Sequence, residues 1–248
     1  MHGNTSISAS ESIDKVLRTA RWLDLGNRDP RLPYASLIEL ASVTTESPAF
    51  EHHEIPFPRS MENAIPKRRV EFVMGRLAAR LAIANLGIVP SPVGIGPSRE
   101  PLWQAGITGS ISHTHELVAA VAVASSTVRG VGIDLEGIVD VDALDAIRHM
   151  AMTPDEQAVL KQQRKDISES MLVTIAFSAK ESFFKGTFLT VGRFFDFSAV
   201  RVSHFDAASG RLDLTITEDL CPDLPQGRSF PLWFTFVSST TVATSFIW

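Results

Sequence analysis

The sequence predicts an α+β fold of two similar-sized lobes, an N-terminal lobe over residues 1–135 and a C-terminal lobe over 136–248. Two observations predict it. Helical and strand signals occur in both halves, and they lack the regular βαβ alternation of a doubly wound parallel sheet. The chain is also long enough: 248 residues, 44% of them hydrophobic, suffice for one large domain or two small ones with real cores.

The elements follow in order. Residues 1–60 carry scattered Pro and Asp with a helix signal only near 11–23, and form an extension of unassigned role. Clear order begins at "PKRRVEFVMGRLAARLAIANLG" (66–87), where Pro66 suits a helix start and Gly87 its end. Val70, Val73, Met74, Leu77 and Leu81 recur there at helical spacing. A Pro/Gly-rich loop follows, "VPSPVGIGPSREPLWQAGITGS", long enough to suggest a functional role. Strands are expected over 117–124 and 128–136, joined by "SST" as a hairpin. In the second half, 142–150 reads as a helix, and "TPDE" (153–156) is a capping box that opens another, to about 164. A longer helix is expected over 167–186, with Gly186 as its stop. Strands near 198–204, 211–217, 230–237 and 241–247 complete the chain.

Composition narrows the function classes. A net charge of −5 and a pI near 5.8 argue against general nucleic-acid binding, so an anionic ligand would need a local basic site. The single cysteine, Cys221, excludes an intrachain disulfide and a zinc cluster. The start lacks the pattern of a secretory signal, and no apolar run reaches membrane-spanning length. A soluble cytoplasmic protein without a membrane partner is the expectation.

Four stretches carry chemistry. In "GVGIDLEGI" (130–138), read as a strand, Val131, Ile133 and Leu135 point to one face and Gly132, Asp134 and Glu136 to the other. Two carboxylates that close raise each other's pKa, and a hard cation such as Mg²⁺ relieves the repulsion. Alternation alone favours a plainer reading, an exposed face with two solvated acids. In "GSISHTHE" (109–116), Ser112 and His113 precede a strand where side chains line a cleft and can donate to phosphate; His115 reads as surface. In "FSAKESFFKG" (177–186), Glu181 and Lys185 stand at i, i+4 on one helix face, either as a surface ion pair or as a metal ligand beside a phosphate contact. Arg69, Arg76 and Arg80 form one stripe of helix 66–87, either solvated or phosphate-binding. P-loop, dinucleotide and H-E-x-x-H motifs are absent.

Together and in this order, "KRRVEFVMGRLAARLA", "REPLWQAGITGSISHTHE", "GVGIDLE", "FSAKESFFK" and "VGRFFDFSAV" resemble the 4′-phosphopantetheinyl transferases of the enterobactin-synthase type, related to the surfactin type. The resemblance runs from about residue 67 to 200. It implies a pseudo-dimeric monomer, two related lobes with coenzyme A between them. It further implies Mg²⁺, with Mn²⁺ as an alternative, held by Asp134, Glu136 and Glu181. The implied reaction moves 4′-phosphopantetheine from coenzyme A onto a serine of an apo acyl or peptidyl carrier protein and releases adenosine 3′,5′-bisphosphate. Glu181, or a water held by Asp134 or Glu136, would be the base, and Lys185 would neutralise or protonate the leaving phosphate. The implied coenzyme A contacts are Arg76, Arg99, Ser112 and His113 at phosphates, Lys67 and Arg69 at the 3′-phosphate, and Lys180 and Lys185 near the cofactor. Gln104 departs from the family pattern, which often has Pro there.

Carrier proteins are generally acidic, so "KQQRK" (161–165) and the Phe-rich 183–197 segment are candidate docking patches, although core packing is the expectation for most of those phenylalanines. The carrier's pathway stays open among fatty-acid, polyketide, siderophore and other nonribosomal peptide synthesis. Two other readings use the same residues: a Mg²⁺-dependent phosphohydrolase acting on a small nucleotide, and a non-catalytic module that binds coenzyme A or carrier protein. Retention of Asp134, Glu136, Glu181 and Lys185 argues against the second.

Overall fold

A computed structural model describes residues 20–40, 55, 57–58, 61, 63–162 and 167–248. The helix expected near 11–23 lies mostly outside these residues; its described end, Arg21–Leu23, is a short strand, β1. The basic stretch 161–165 also lies largely outside them.

Two antiparallel sheets, each covered by a helix, make up an α+β fold. The first contains β1, β2 (Ala35–Glu39), β5 (Ile107–His113) and β6 (Leu117–Ala124) in the order β1-β2-β6-β5. Helix α1 (Pro66–Ala84) packs on it through Val70, Met74, Leu77, Ala78 and Ile83. Pro66 and the apolar periodicity place this helix as the sequence predicts. The loop after it holds a two-residue ribbon, β3 (Gly94–Ile95) with β4 (Pro101–Leu102).

The second sheet runs β7-β11-β10-β9-β8, from β7 (Val131–Gly137), β8 (Val200–Asp206), β9 (Arg211–Ile216), β10 (Ser229–Ser238) and β11 (Thr241–Ile247). The four strands expected near the C-terminus are therefore all present. Helix α2 (Val141–Ala151) is capped by Asp140, and α3 (Pro154–Lys161) opens on the capping box read at Thr153 and Glu156. Helix α4 (Glu169–Val191) is capped by Ser168 and packs along β7 and β11.

Three expectations are corrected. First, β6 and β7 do not form a hairpin. β6 lies between β2 and β5, whereas β7 pairs with β11 along its whole length. Both faces of β6 are apolar, and both are used. Val118, Ala120 and Ala122 face the α1 core; Leu117, Ala119, Val121 and Val123 face a second cluster with Val131, Ile133 and Leu135 of β7. Stacking the strands in different sheets buries both apolar faces, which pairing them side by side would not. Second, the residues expected to close that hairpin, 125–130, instead carry the chain from the first sheet to the second, where β7 lies. The hairpin present in this region is β5–β6.

Third, α4 continues through Gly186 and ends at Gly192, whose φ of +70° is the left-handed cap. Gly186 has a different reason to be glycine. A Cβ there would approach Cδ1 of Phe246 to 2.6 Å, and one on Gly132 would come within 1.9 Å of the Ser182 carbonyl oxygen. The missing side chains let α4 lie directly on β7, and that contact brings Glu181 and Lys185 to the acid pair. No helix among the described residues is long and apolar enough to cross a membrane.

Candidate active site

The two sheets meet where one face of β5 lies against the free edge of β7, and side chains replace a backbone ladder. Ser110 Oγ accepts from the Ile133 N–H (3.0 Å), and Ser112 Oγ accepts from the Leu135 N–H (3.0 Å). Both hydroxyls are buried, which satisfies edge groups of β7 that would otherwise lack partners. β5 can supply them because Ser110 and Ser112 stand two apart and share a face.

Asp134 lies at the centre of this seam and is only 3% exposed, so the reading of an exposed acidic face is wrong for it. Ser112 Oγ donates to its Oδ1 at 2.9 Å, Ser178 Oγ donates to its Oδ2 at 2.8 Å, and the Lys185 ammonium donates to Oδ1 at 2.6 Å. Lys185 also donates to Ser112 Oγ at 3.1 Å. Ser178 is itself bonded to Thr244 on β11. Sequence reasoning missed Ser110, Ser178 and Thr244. The first letter of "SAKE" held the available signal, since Ser178 is one turn before Glu181 on the face that meets β7.

Glu136 and Glu181 complete the acidic group. Burial, reinforced by the negative charges of Asp134 and Glu181 and opposed by Lys185, pushes the Glu136 carboxyl up to about 7. Burial also raises Glu181, with Lys185 opposing and Asp134 adding to the rise. Oxygen-only donors that repel one another suit a hard divalent cation, so the chemistry of the set fits Mg²⁺. Among the described residues no three His, Cys, Asp or Glu side chains converge on one point. Asp134 instead holds an ammonium.

Lys185 also borders a cleft of about 240 Å³ between the sheets, lined by Arg99, Trp103, Ser110, Ile111, Phe184 and Phe194 among others. Arg99 stands on its rim at φ +68°, the only non-glycine residue with positive φ among the described residues. A second cavity, of about 320 Å³, adjoins Glu181 and is lined mainly by Phe184, Phe194, Phe195 and Phe197. Of the Phe-rich segment, Phe183 is core, while Phe194 is 66% exposed and stacks on Phe184.

The basic residues divide into two groups. On the α1 face that meets β5, Arg68 donates toward His113 Nε2 at 2.8 Å and pairs with Glu71, and Lys67 Nζ lies 2.5 Å from His115 Nδ1. Burial is the main cause that lowers the His113 pKa. Sequence reasoning passed over Arg68 and gave His115 no role. The stripe of Arg69, Arg76 and Arg80 lies on another face. Arg69 sits over the Phe57 ring, and Arg76 donates to the Val93 and Gly94 carbonyls, clamping the loop before β3. Gln104 ties the same loop, accepting from Ser91 N–H at 2.7 Å, which gives the departure from Pro a structural use.

Lys180 lines the cavity that adjoins Glu181. Its ammonium is buried 2.6 Å from Glu156 Oε1, and it donates to the Ala151 and Phe197 carbonyls. Those three partners match its three protons.

Residues 57–123 match the family model described as the 4′-phosphopantetheinyl transferase N-terminal domain, and residues 130–228 match that of the 4′-phosphopantetheinyl transferase superfamily. The chain is 34% identical over 157 residues to enterobactin synthase component D of Salmonella typhi, covering 62% of this chain and 64% of that protein. It is 36% identical over 133 residues to enterobactin synthase component D of Escherichia coli (strain K12), covering 54% and 61%. It is 31% identical over 154 residues to 4′-phosphopantetheinyl transferase PptT of Mycobacterium tuberculosis, covering 59% and 63%. In each case the chain spans a little under two thirds of the relative's length. The two family matches together take in well over half of the chain, including β5, β7 and α4. The chain belongs to the 4′-phosphopantetheinyl transferase superfamily.

Proposed function

We propose that this protein transfers the 4′-phosphopantetheine arm of coenzyme A to a serine of an apo carrier protein and releases adenosine 3′,5′-bisphosphate. The observation that carries the reading is the Asp134 group: a buried carboxylate bonded to Ser112, Ser178 and Lys185, beside Glu136 and Glu181, at the edge of a cleft between two sheets. The placement of α1 on one sheet and α4 on the other supports reading the halves as related lobes.

The chemistry follows from the residues. The serine hydroxyl attacks the phosphorus that bears pantetheine, a new P–O bond forms, and the pyrophosphate P–O bond breaks. Asp134, Glu136 and Glu181 would hold Mg²⁺, which when bound lowers the negative charge on the pyrophosphate. Glu181, a carboxylate beside the acid pair at the second cavity, takes the hydroxyl proton. Lys185 stabilises the phosphate that leaves. Arg99 on the rim, with Arg68 and Lys67 near the end of β5, supplies the local positive charge that an acidic chain needs to bind an anionic cofactor. The Phe-lined cavity beside Glu181 suits the less polar pantetheine arm.

The test is the intact mass of apo carrier proteins after incubation with this protein, coenzyme A and Mg²⁺, with an EDTA control. A gain of one phosphopantetheine, lost with EDTA, establishes the activity. Hydrolysis of coenzyme A without any carrier would instead establish the phosphohydrolase reading.

A further inference from the structure

We infer that Lys185 is the built-in counter-ion of the acidic group, and that its ammonium must leave Asp134 Oδ1 before a divalent cation can bind there. The inference rests on the assignment of Asp134, Glu136 and Glu181 to a divalent cation.

Both oxygens of Asp134 already have donors, and only one of those donors can readily move. Ser112 is 4% exposed and held in place by the Leu135 N–H; Ser178 is fully buried and held by Thr244. The Lys185 side chain is 26% exposed and ends a flexible four-carbon stem at the border of the 240 Å³ cleft. An ammonium 2.6 Å from Oδ1 occupies the space and the charge complement that a cation on that oxygen needs. Two cations on one carboxylate oxygen repel strongly in a site this dry. Swinging Lys185 into the cleft relieves the conflict and brings its ammonium to the anionic end of a bound cofactor. Cation entry and the positioning of Lys185 are then one event.

The experiment measures Mn²⁺ binding to the full chain by the electron paramagnetic resonance signal of free Mn²⁺, without coenzyme A or carrier. Lys185→Met should bind Mn²⁺ about tenfold more tightly than the unaltered protein, because the competing charge is gone. Lys185→Arg keeps that charge and should bind no more tightly. Asp134→Asn should weaken binding. Thermal unfolding gives an independent reading: Lys185→Met should melt lower than the unaltered protein without metal, and Mn²⁺ should raise its midpoint more. Should Lys185→Met fail to fold, Lys185→Gln, whose amide can still donate to Asp134, is expected to bind more tightly as well. Unchanged or weaker Mn²⁺ binding by the neutral variants, with the unaltered protein binding normally, would overturn the exchange and leave the metal assignment standing. Absence of Mn²⁺ binding by every form at millimolar concentration would overturn both.

Discussion

The Lys180 ammonium and the Glu156 carboxylate lie 2.6 Å apart with both side chains essentially excluded from water. The pair joins α4 to α3, and Glu156 also accepts from the Val202 N–H and the Thr153 N–H. Lys180 reaches the Phe197 carbonyl, so the pair fixes the wall of the cavity beside Glu181. Removing the lysine leaves a buried unpaired charge. Lys180→Met should therefore cost about 3 kcal/mol or more in urea unfolding. The double variant Lys180→Met/Glu156→Gln should lose less than Lys180→Met alone. Equal losses would mean that the pair's charge is not what matters.

Asp134→Ala and Glu181→Ala should each reduce transfer by about a thousandfold or more while far-UV circular dichroism stays unchanged. Near-normal turnover by Glu181→Ala would overturn its assignment as metal ligand and base. The check is carrier-protein mass over a time course.

Gly132→Ala should destabilise the protein by about 3 kcal/mol or more, because the new methyl would meet the Ser182 carbonyl oxygen at 1.9 Å. The backbone cannot yield there without lifting α4 off β7. Transfer should fall with the thermal midpoint, since α4 carries Glu181 and Lys185.

Arg99→Gly separates binding from stability. Glycine adopts the +68° φ without the steric cost that arginine bears, so the variant should be as stable or up to about 1 kcal/mol more stable. KM for coenzyme A should rise because the rim loses a cation, with kcat little changed. A large fall in kcat with KM unaltered would place Arg99 outside cofactor binding.

Without metal, stability should fall as pH rises from about 4.5 to about 7. Folded Glu136 keeps its proton up to about 7, whereas the unfolded chain releases it near the ordinary value of 4.5. The folded state then binds more protons across that window, and each rise in pH favours unfolding. The raised Glu181 carboxyl acts in the same direction. Glu136→Gln should flatten the slope and gain roughly 1–2 kcal/mol at pH 8, after allowance for solvent screening. Denaturant titrations at pH 5, 6, 7 and 8 test it.

Local signals made most of the elements legible. Pro66, the Thr153–Glu156 box and apolar periodicity locate helices α1 and α3 because these cues act within a few residues. The period-2 alternation of "GVGIDLE" assigns the facing of Asp134 and Glu136 for the same reason. The sequence hides contacts where a residue's partner is distant along the chain. Gly186 resembles a helix stop until Phe246 and β7 are seen against it. Lys180, adjacent to Glu181 in sequence, turns its ammonium to Glu156 and to the Ala151 and Phe197 carbonyls, all distant in the chain. Arg76 lies on the stripe the spacing predicts, yet that face meets the loop at 93–94, whereas Arg68 faces β5.

By itself the sequence determined the α+β class, the family and the acidic and basic residues at the seam, because chemistry and periodicity are written locally along the chain. Only the tertiary structure decided that β6 and β7 stack in separate sheets, that Ser112 and Ser178 hold Asp134, and that Lys185 rather than Lys180 reaches it. Those outcomes depend on which apolar faces can be buried together and on where missing side chains let helix and sheet touch. The partners involved, such as Ser112 with Asp134 or Gly132 with Ser182, lie far apart in the chain and meet only when the core closes.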